Sequence, residues 1–452
     1  EDARQPRMRF HDDPRATDYA DQAAVRATLS EAFEICTSCR RCTDYCGVFP
    51  TLFDLLDPTG TADGEALQPG EMTPAQQDHV TDGCTHCGLC TVGCPSGPEH
   101  DPDGLDMARL MLRVAAMRRA NRHFGRAARR MARIVARPGV VGSAFSRAPG
   151  VVNAVLARAP GSRRRRVVAA ATGISAQRLV HPFTGEAFST WFRRRPRVAV
   201  GGGRRPVSVV ATCIVEYQEP ALGRDLLRVF ERNGIGCSVA GVACCGAPSL
   251  HAGDVDGFAR IAARNVARLV RDVRSGHDII VTQPSCLLAI RRDYPHHVPA
   301  EQRADAQLVA DHAVDPCDHL MSLHRSDESV LDTDFDGDVP ERVRFHASSS
   351  GRVVKDGFPG RDLLRLAGSR VDLVAAPAGV DGLWGLRADA DDVVAPAAAA
   401  LVERLEVVDA DGASEVVSDC RLAARVLEES TGRTVRHPLQ VLARAYGLSD
   451  ET

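Results

Sequence analysis

The stretch Cys36-x2-Cys39-x2-Cys42-x3-Cys46, with its echo Cys84-x2-Cys87-x2-Cys90-x3-Cys94-Pro95, decides the reading of this 452-residue chain. Two-residue gaps let a turning backbone aim three sulfurs at three corners of one small body. The longer gap leaves the fourth sulfur pointing elsewhere. Structural zinc draws on paired Cys-x2-Cys units rather than runs of four, and disulfides belong to a secretory setting. Eight thiolates in two runs of four point instead to polynuclear iron–sulfur chemistry and hence to electron transfer.

The spacing resembles that of bacterial two-cluster ferredoxins, in which the fourth cysteine of each run ligates the other cluster. The resemblance implies one 4Fe-4S cluster on Cys36, Cys39, Cys42 and Cys94, and a second on Cys84, Cys87, Cys90 and Cys46. Gly47 stands where a ferredoxin often has proline. Residues 47–83, between the runs, are long enough to include a helix, which suggests the helical type of ferredoxin domain.

A content of 44% hydrophobic residues can fill cores in about three domains. The chain has no run of eighteen apolar residues, and EDARQPRMRF at its start lacks the apolar stretch of a signal peptide. Fifteen cysteines in that setting are expected to be metal ligands and reduced thiols in the cytoplasm. Lys355 is the only lysine. The net charge of −3 is unevenly spread: residues 101–205 carry 23 Arg and four acids, a charge of +19, leaving −22 for the rest.

Within 105–135, Met107, Leu110, Met111, Val114, Met117, Phe124, Met131 and Val135 recur at helical steps, which predicts one long amphipathic helix with a cationic opposite face. From residue 206 short β-branched runs alternate with helical patterns, the texture of α/β units. Strands are predicted at 207–211, 237–242, 278–282, 343–346, 371–375 and 415–418, and helices at 222–233, 258–273, 361–366 and 393–405. The six residues GRDLLR at 223–228 recur at 360–365, so two homologous α/β lobes are expected. The acidic segment 326–341 reads as a linker.

A third set of cysteines lies at predicted strand ends in the first lobe: Cys213, the Cys244-Cys245-Gly246 step, and Cys286. Strand ends are where α/β sheets place their sites. Gly246 is expected to let the backbone approach an inorganic core. Buried thiols without a cluster are the plainer alternative. Cys237 and Cys317 read as core or incidental thiols. His86, His100, His346 and His437 are expected to tune rather than ligate. No phosphate loop, nucleophile elbow or triad is visible, so no catalytic residue is assigned.

Over nearly its whole length the chain resembles the cysteine-rich (CCG-domain) iron–sulfur oxidoreductases, the group of heterodisulfide reductase and of the C-subunit of anaerobic glycerol-3-phosphate dehydrogenase. CGVFPTLFDLLD, PEHDPDGLDMARLMLR and DGLWG (381–385) are most similar to a branch often encoded beside rubrerythrin. The resemblance implies a third 4Fe-4S cluster, in non-cubane form or not, on Cys213, Cys244, Cys245 and Cys286, with Ala289 where the family's last cysteine stands. In the second lobe residues 346–350 read HASSS and residues 377–379 PAG; only Cys420 survives, so this lobe is expected to be structural.

The expected fold class is therefore α/β: a helical two-cluster ferredoxin domain (1–104), a basic segment (105–205), a cysteine-rich α/β lobe (206–325), the linker (326–341) and a degenerate second lobe (342–452). The basic segment could pack on the protein's own acidic lobes or a partner, or lie on an anionic membrane surface at the inner face of the cell membrane; nucleic acid is disfavoured by the lack of interleaved aromatics. The leading function is an electron-transfer subunit, with a flavoprotein dehydrogenase or rubrerythrin as partner and the third cluster or a quinone as the other terminus. Alternatives are a disulfide or thiol reductase acting at the third cluster, and a non-catalytic scaffold.

Overall fold

The computed structural model describes residues 13–448, apart from residues 44, 47, 58–66, 102, 136–137, 157–159, 197, 199–202, 327–330 and 408–413. Gly47 and the first twelve residues lie outside the described residues.

The amino-terminal unit is helical. Asp21 caps α1 (Gln22–Cys39) by accepting from Ala24 N at 2.8 Å, and Val25, Leu29, Ala32 and Phe33 form its buried stripe. Thr73 and Gln76 form a capping box, with Pro74 at the first helical position, to start α3 (Pro74–Asp82). Between them lies α2 (Val48–Leu56), whose Val48, Phe49, Leu52, Phe53 and Leu56 are all buried. These stripes close on Leu110, Met111, Val114 and Met117 of α4 (Met107–Ala120) to make one core, against which Cys36, Cys42, Cys46, Cys84 and Cys90 pack. Each fully buried leucine or phenylalanine there contributes about 1.5–3 kcal/mol relative to exposure.

The single helix expected over 105–135 is two. After α4 the chain turns through Asn121 and Arg122, the latter at φ +58, before α5 (Arg126–Val135) begins. The apolar stripe lapses between Met117 and Phe124, where a helix would need an apolar residue at position 121 and the sequence supplies asparagine, a good terminator. Four further helices follow: α6 (Pro138–Ser146), α7 (Pro149–Leu156), α8 (Arg163–Thr172) and α9 (Phe188–Arg194).

Two four-stranded parallel sheets make up the rest. In the first, β1 (Val207–Val210), β2 (Cys237–Val239), β3 (Asp278–Val281) and β4 (Ala313–Val314) lie in the order β2-β1-β3-β4. In the second, β5 (Arg342–His346), β6 (Arg370–Val374), β7 (Glu415–Ser418) and β8 (Val435–Arg436) lie in the order β6-β5-β7-β8. Strands buried on both faces read as continuous apolar runs, as VSVV does in β1. In the first sheet the crossovers place α10 (Cys213–Tyr217) and α11 (Pro220–Arg232) after β1, α12 (Ala247–His251) and α13 (Val255–Arg274) after β2, and α14 (Pro284–Leu288) after β3. The strand order reverses between β1 and β3, the position at which such sheets open a crevice beyond their carboxyl ends. The described part of 326–341 has no helix or strand, but it is not detached: Leu331 is buried and Phe335 and Val339 pack on the first sheet's core.

The helical unit and the first sheet abut. Gly253, at φ +72 just after α12, meets α4 so closely that a Cβ would stand 2.2 Å from Ala115 O. Only glycine allows that approach.

Candidate iron–sulfur centres

The last turn of α1 presents Cys36 and Cys39 three residues apart on one face. The turn ends at Arg40, at φ +53, whose N–H donates to Cys36 O, and Cys42 follows at once. Gly93, at φ +63, swings the second run so that Cys94 reaches the same place. Together Cys36, Cys39, Cys42 and Cys94 line a small cavity walled by Ile35, Phe49, Phe53, Leu105 and Met107. Tyr45 Oη lies 3.2 Å from Cys42 Sγ. Burial and the neighbouring thiols raise Cys36 well above its ordinary pKa.

Cys46 does not line that cavity, and the thiol that weighs most on it is Cys84 of the second run. Burial, and then Cys84, push the Cys46 thiol up to about 12, and burial pushes Cys84 up to about 11. Cys87 and Cys90 are raised by burial, and Cys46 is within electrostatic reach of both. Cys90 also borders the first cavity, so the two groups are neighbours. His86, inside the run, sits at φ +59 with Nδ1 3.9 Å from Cys84 Sγ.

The third set does converge. Cys213, at the start of α10, Cys244 and Cys245 before α12, and Cys286 in α14 line one small cavity at the carboxyl end of the first sheet. Cys245 Sγ stands 3.1 Å from Cys286 Sγ, and Gly246 N donates to Cys244 Sγ at 3.3 Å. Hydrogen bonding to Cys244, then burial, raises Cys213 well above its ordinary pKa. Gly246 itself does not face the cavity: at φ +87 its Cα packs on α13, where a Cβ would stand 3.0 Å from Ile261 Cγ2 and 3.1 Å from Phe258 Cδ2. Its glycine is required by helix packing rather than by access to an inorganic core. Ala289 is buried in the apolar core and does not line the cavity.

Among the described residues no three Cys, His, Asp or Glu side chains group closely enough for a single metal ion; the first and third thiol sets ring cavities instead. Thiols that converge in fours beside apolar walls are the donors an iron–sulfur core takes up as thiolates. The donor sets therefore fit such clusters.

Sequence reasoning missed two residues at the third cavity. His251, at the end of α12, lines it, is 5% exposed, and stacks on His86 with ring centroids 4.8 Å apart and planes at 26°. Gln283 also lines it and donates from Nε2 to Cys420 Sγ at 3.0 Å, so Cys420 of the second sheet lies one amide away from the cysteine cavity. The DGLWG loop enters the same junction: Gly382 lines the third cavity and Asp381 is within electrostatic reach of Cys87. A histidine five residues after a Cys-Cys-Gly step was the available signal for His251.

The corresponding end of the second sheet holds a polar network. His346 Nε2 is 2.9 Å from Ala376 O and its Nδ1 2.9 Å from Ser418 Oγ; Ser348 N donates to Asp419, and Ser350 N to Asp381. His437 caps a helix by accepting from Leu439 N, and His100 is exposed. Cys317 is buried in the first sheet's core and Cys237 packs beside it.

A model of the 4Fe-4S dicluster domain matches residues 35–98, and a model of the cysteine-rich CCG domain matches residues 207–291. The C-subunit of anaerobic glycerol-3-phosphate dehydrogenase from Escherichia coli (strain K12) is 24% identical over 287 residues, 62% of this chain and 69% of that one; the protein from strain O157:H7 matches equally. The B-subunit of fumarate reductase (CoM/CoB) from Methanothermobacter marburgensis is 33% identical over 87 residues, 19% of this chain and 17% of that one. The chain thus carries a 4Fe-4S dicluster domain and a CCG cysteine-rich domain, and it is homologous to the C-subunit of anaerobic glycerol-3-phosphate dehydrogenase and the B-subunit of fumarate reductase (CoM/CoB).

Proposed function

We propose that the protein is the iron–sulfur electron-transfer subunit of an oxidoreductase complex. In this reading Cys36, Cys39, Cys42 and Cys94 hold one 4Fe-4S cluster, Cys84, Cys87, Cys90 and Cys46 a second, and Cys213, Cys244, Cys245 and Cys286 a third. The observation that carries it is contiguity: the three thiol groups follow one another through the junction of the helical unit and the first sheet. Bound clusters supply one-electron chemistry at potentials set by burial and hydrogen bonds. The chain's own contribution is to fix the thiolates, exclude water with Phe49, Phe53 and Leu105, and place Tyr45 and His86 beside cluster sulfurs.

The same reading divides the chain into a ferredoxin domain (1–104), a basic segment (105–205), two duplicated α/β lobes (206–325 and 342–452) and a linker (326–341). Supporting the duplication, both sheets share one strand order, and GRDLLR falls in α11 after β1 and again in the helix Pro359–Leu366 after β5. The partner that exchanges electrons with the ferredoxin clusters is a redox protein such as a flavoprotein dehydrogenase or rubrerythrin, and the far terminus is the third cluster or a quinone.

The basic segment serves two ends in this account. Arg113 and Arg118 are buried, donating to Tyr19 O, Asp78, Thr81 and Asp82, while Arg195 pairs with Glu231 at 2.6 Å. The mutually packed helices α5 to α8 carry exposed arginines on α5 and α8 and the exposed Val140, Val151 and Val167, a composition suited to an anionic membrane face. Among the described residues no helix is long and apolar enough to cross a membrane.

The assay that separates this function from a disulfide reductase starts with dithionite-reduced, anaerobic full-length protein, mixed with either a water-soluble quinone or a small dialkyl disulfide. Reoxidation by the quinone without steady turnover of the disulfide is expected. Sustained cleavage of the disulfide would replace the relay by the reductase.

A further inference from the structure

His86 and His251 belong to different units of the protein and 165 positions separate them, yet their rings stack at 4.8 Å. Each is tied by its own chain to a different thiol group. His86 lies between Cys84 and Cys87, with Nδ1 3.9 Å from Cys84 Sγ. His251 ends α12, the helix that starts directly after Cys244-Cys245-Gly246, and lines the third cavity with those cysteines.

Three features hold the pair in place. His86 adopts φ +59, a left-handed conformation that a non-glycine residue keeps only where its surroundings over-determine it. Gly382 lies against the far ring, and a Cβ there would stand 3.1 Å from both Nδ1 and Cε1 of His251. His251 Nδ1 is buried without a hydrogen-bond partner among the described residues, so no hydrogen bond to that atom explains the ring's orientation; packing on His86 and Gly382 does. Both rings also line, with Gly88, Ser285 and Leu288, a second cavity between the helical unit and the first sheet, so the stack sits at the junction of the two thiol-bearing units.

Resting on the three-cluster reading above, we propose that the stacked imidazoles of His86 and His251 are the bridge by which an electron passes between the Cys84/Cys87/Cys90/Cys46 site and the Cys213/Cys244/Cys245/Cys286 site. Electron tunnelling falls steeply across empty space and less steeply through packed, bonded atoms. The route from Cys84 to His86 to His251, then back along one short helix to Cys244 and Cys245, crosses between the two units by ring contact. One electron leaves the donor cluster and one arrives at the acceptor; no bond is made or broken and no proton moves. The two histidines are positioning residues that carry coupling, not ligands.

The test compares full-length wild type, His251→Ala, His251→Phe and His86→Ala. Iron is counted in each, and electron arrival at the third site after flash photoreduction is followed by absorption and rapid-freeze EPR. The proposal expects equal iron in all four, arrival slowed by an order of magnitude in both alanine variants, and recovery in His251→Phe, which keeps a ring on His86. Unchanged arrival in His251→Ala with the third cluster present would overturn the bridge. Loss of about four irons in His251→Ala, not restored by phenylalanine, would make His251 a ligand and also overturn it. About eight irons already in the wild type would instead remove the three-cluster reading on which the bridge stands.

Discussion

Lys355→Met is expected to destabilise the protein by about 3–5 kcal/mol, the usual consequence of removing one member of a buried ion group. Lys355 Nζ lies 3.0 Å from Asp315 Oδ2 and 2.9 Å from Asp419 Oδ2, and all three side chains are 4% exposed or less. Asp315 caps the helix Pro316–Arg325 that follows the first sheet, accepting from Cys317 N and Asp318 N. Asp419 ends the second sheet's β7 and accepts from Ser348 N. The lone lysine therefore ties the two sheets together, and its loss leaves two carboxylates buried without a cation. Burial disfavours ionised Asp419, but Lys355 more than offsets it and holds the carboxyl below its usual range. A depressed carboxyl contributes stability that is present above its unfolded pKa and lost as pH falls through its folded one. In the variant burial is no longer offset by the ammonium and is opposed chiefly by the Ser348 N–H, so the carboxyl takes up a proton more readily. The gap between wild type and variant is therefore expected to narrow on acidification, read by urea unfolding with far-UV circular dichroism at several pH values. A gap under ~1 kcal/mol at neutral pH would show that the triad does not hold the sheets together.

Cys94→Ala and Cys46→Ala are expected to remove opposite clusters. Cys94 lines the cavity of Cys36, Cys39 and Cys42, whereas the thiol that weighs most on Cys46 is Cys84 of the second run. Each variant should therefore lose about four irons from the cluster whose other three ligands lie in the other run. Assignment follows from pairing each with Cys39→Ala. Cys94→Ala/Cys39→Ala should lose no more iron than Cys94→Ala alone, while Cys46→Ala/Cys39→Ala should lose about eight. The reverse pattern would mean that each run holds its own cluster.

The cysteine spacing was legible because ligand geometry is local: Cys36 and Cys39 on one helical turn, or Cys244 and Cys245 beside a left-handed glycine, are set within a few residues. The longer strands were legible for the same reason, VSVV being buried throughout and EVVS from its second residue on. The two-residue strands β4 and β8 were not, since they pair only through the register of a neighbour. The break at Asn121 was written as one missing apolar position in a long stripe. The contact of His86 with His251, the reach of Gln283 to Cys420 and the Lys355 triad depend on how separate units dock, which no periodicity encodes. The charge asymmetry announced that the basic segment would meet acids, and Arg118 with Asp78 and Asp82 does so; it could not say which arginines would stay exposed.

A third cluster on the sheet-end cysteines would show in the iron and acid-labile sulfide content and EPR of anaerobically purified wild type beside Cys244→Ser/Cys245→Ser. About twelve irons in the wild type should fall to about eight in the variant, with the two ferredoxin signals unchanged. About eight irons in both proteins would mean a two-cluster relay whose α/β sheets only dock partners.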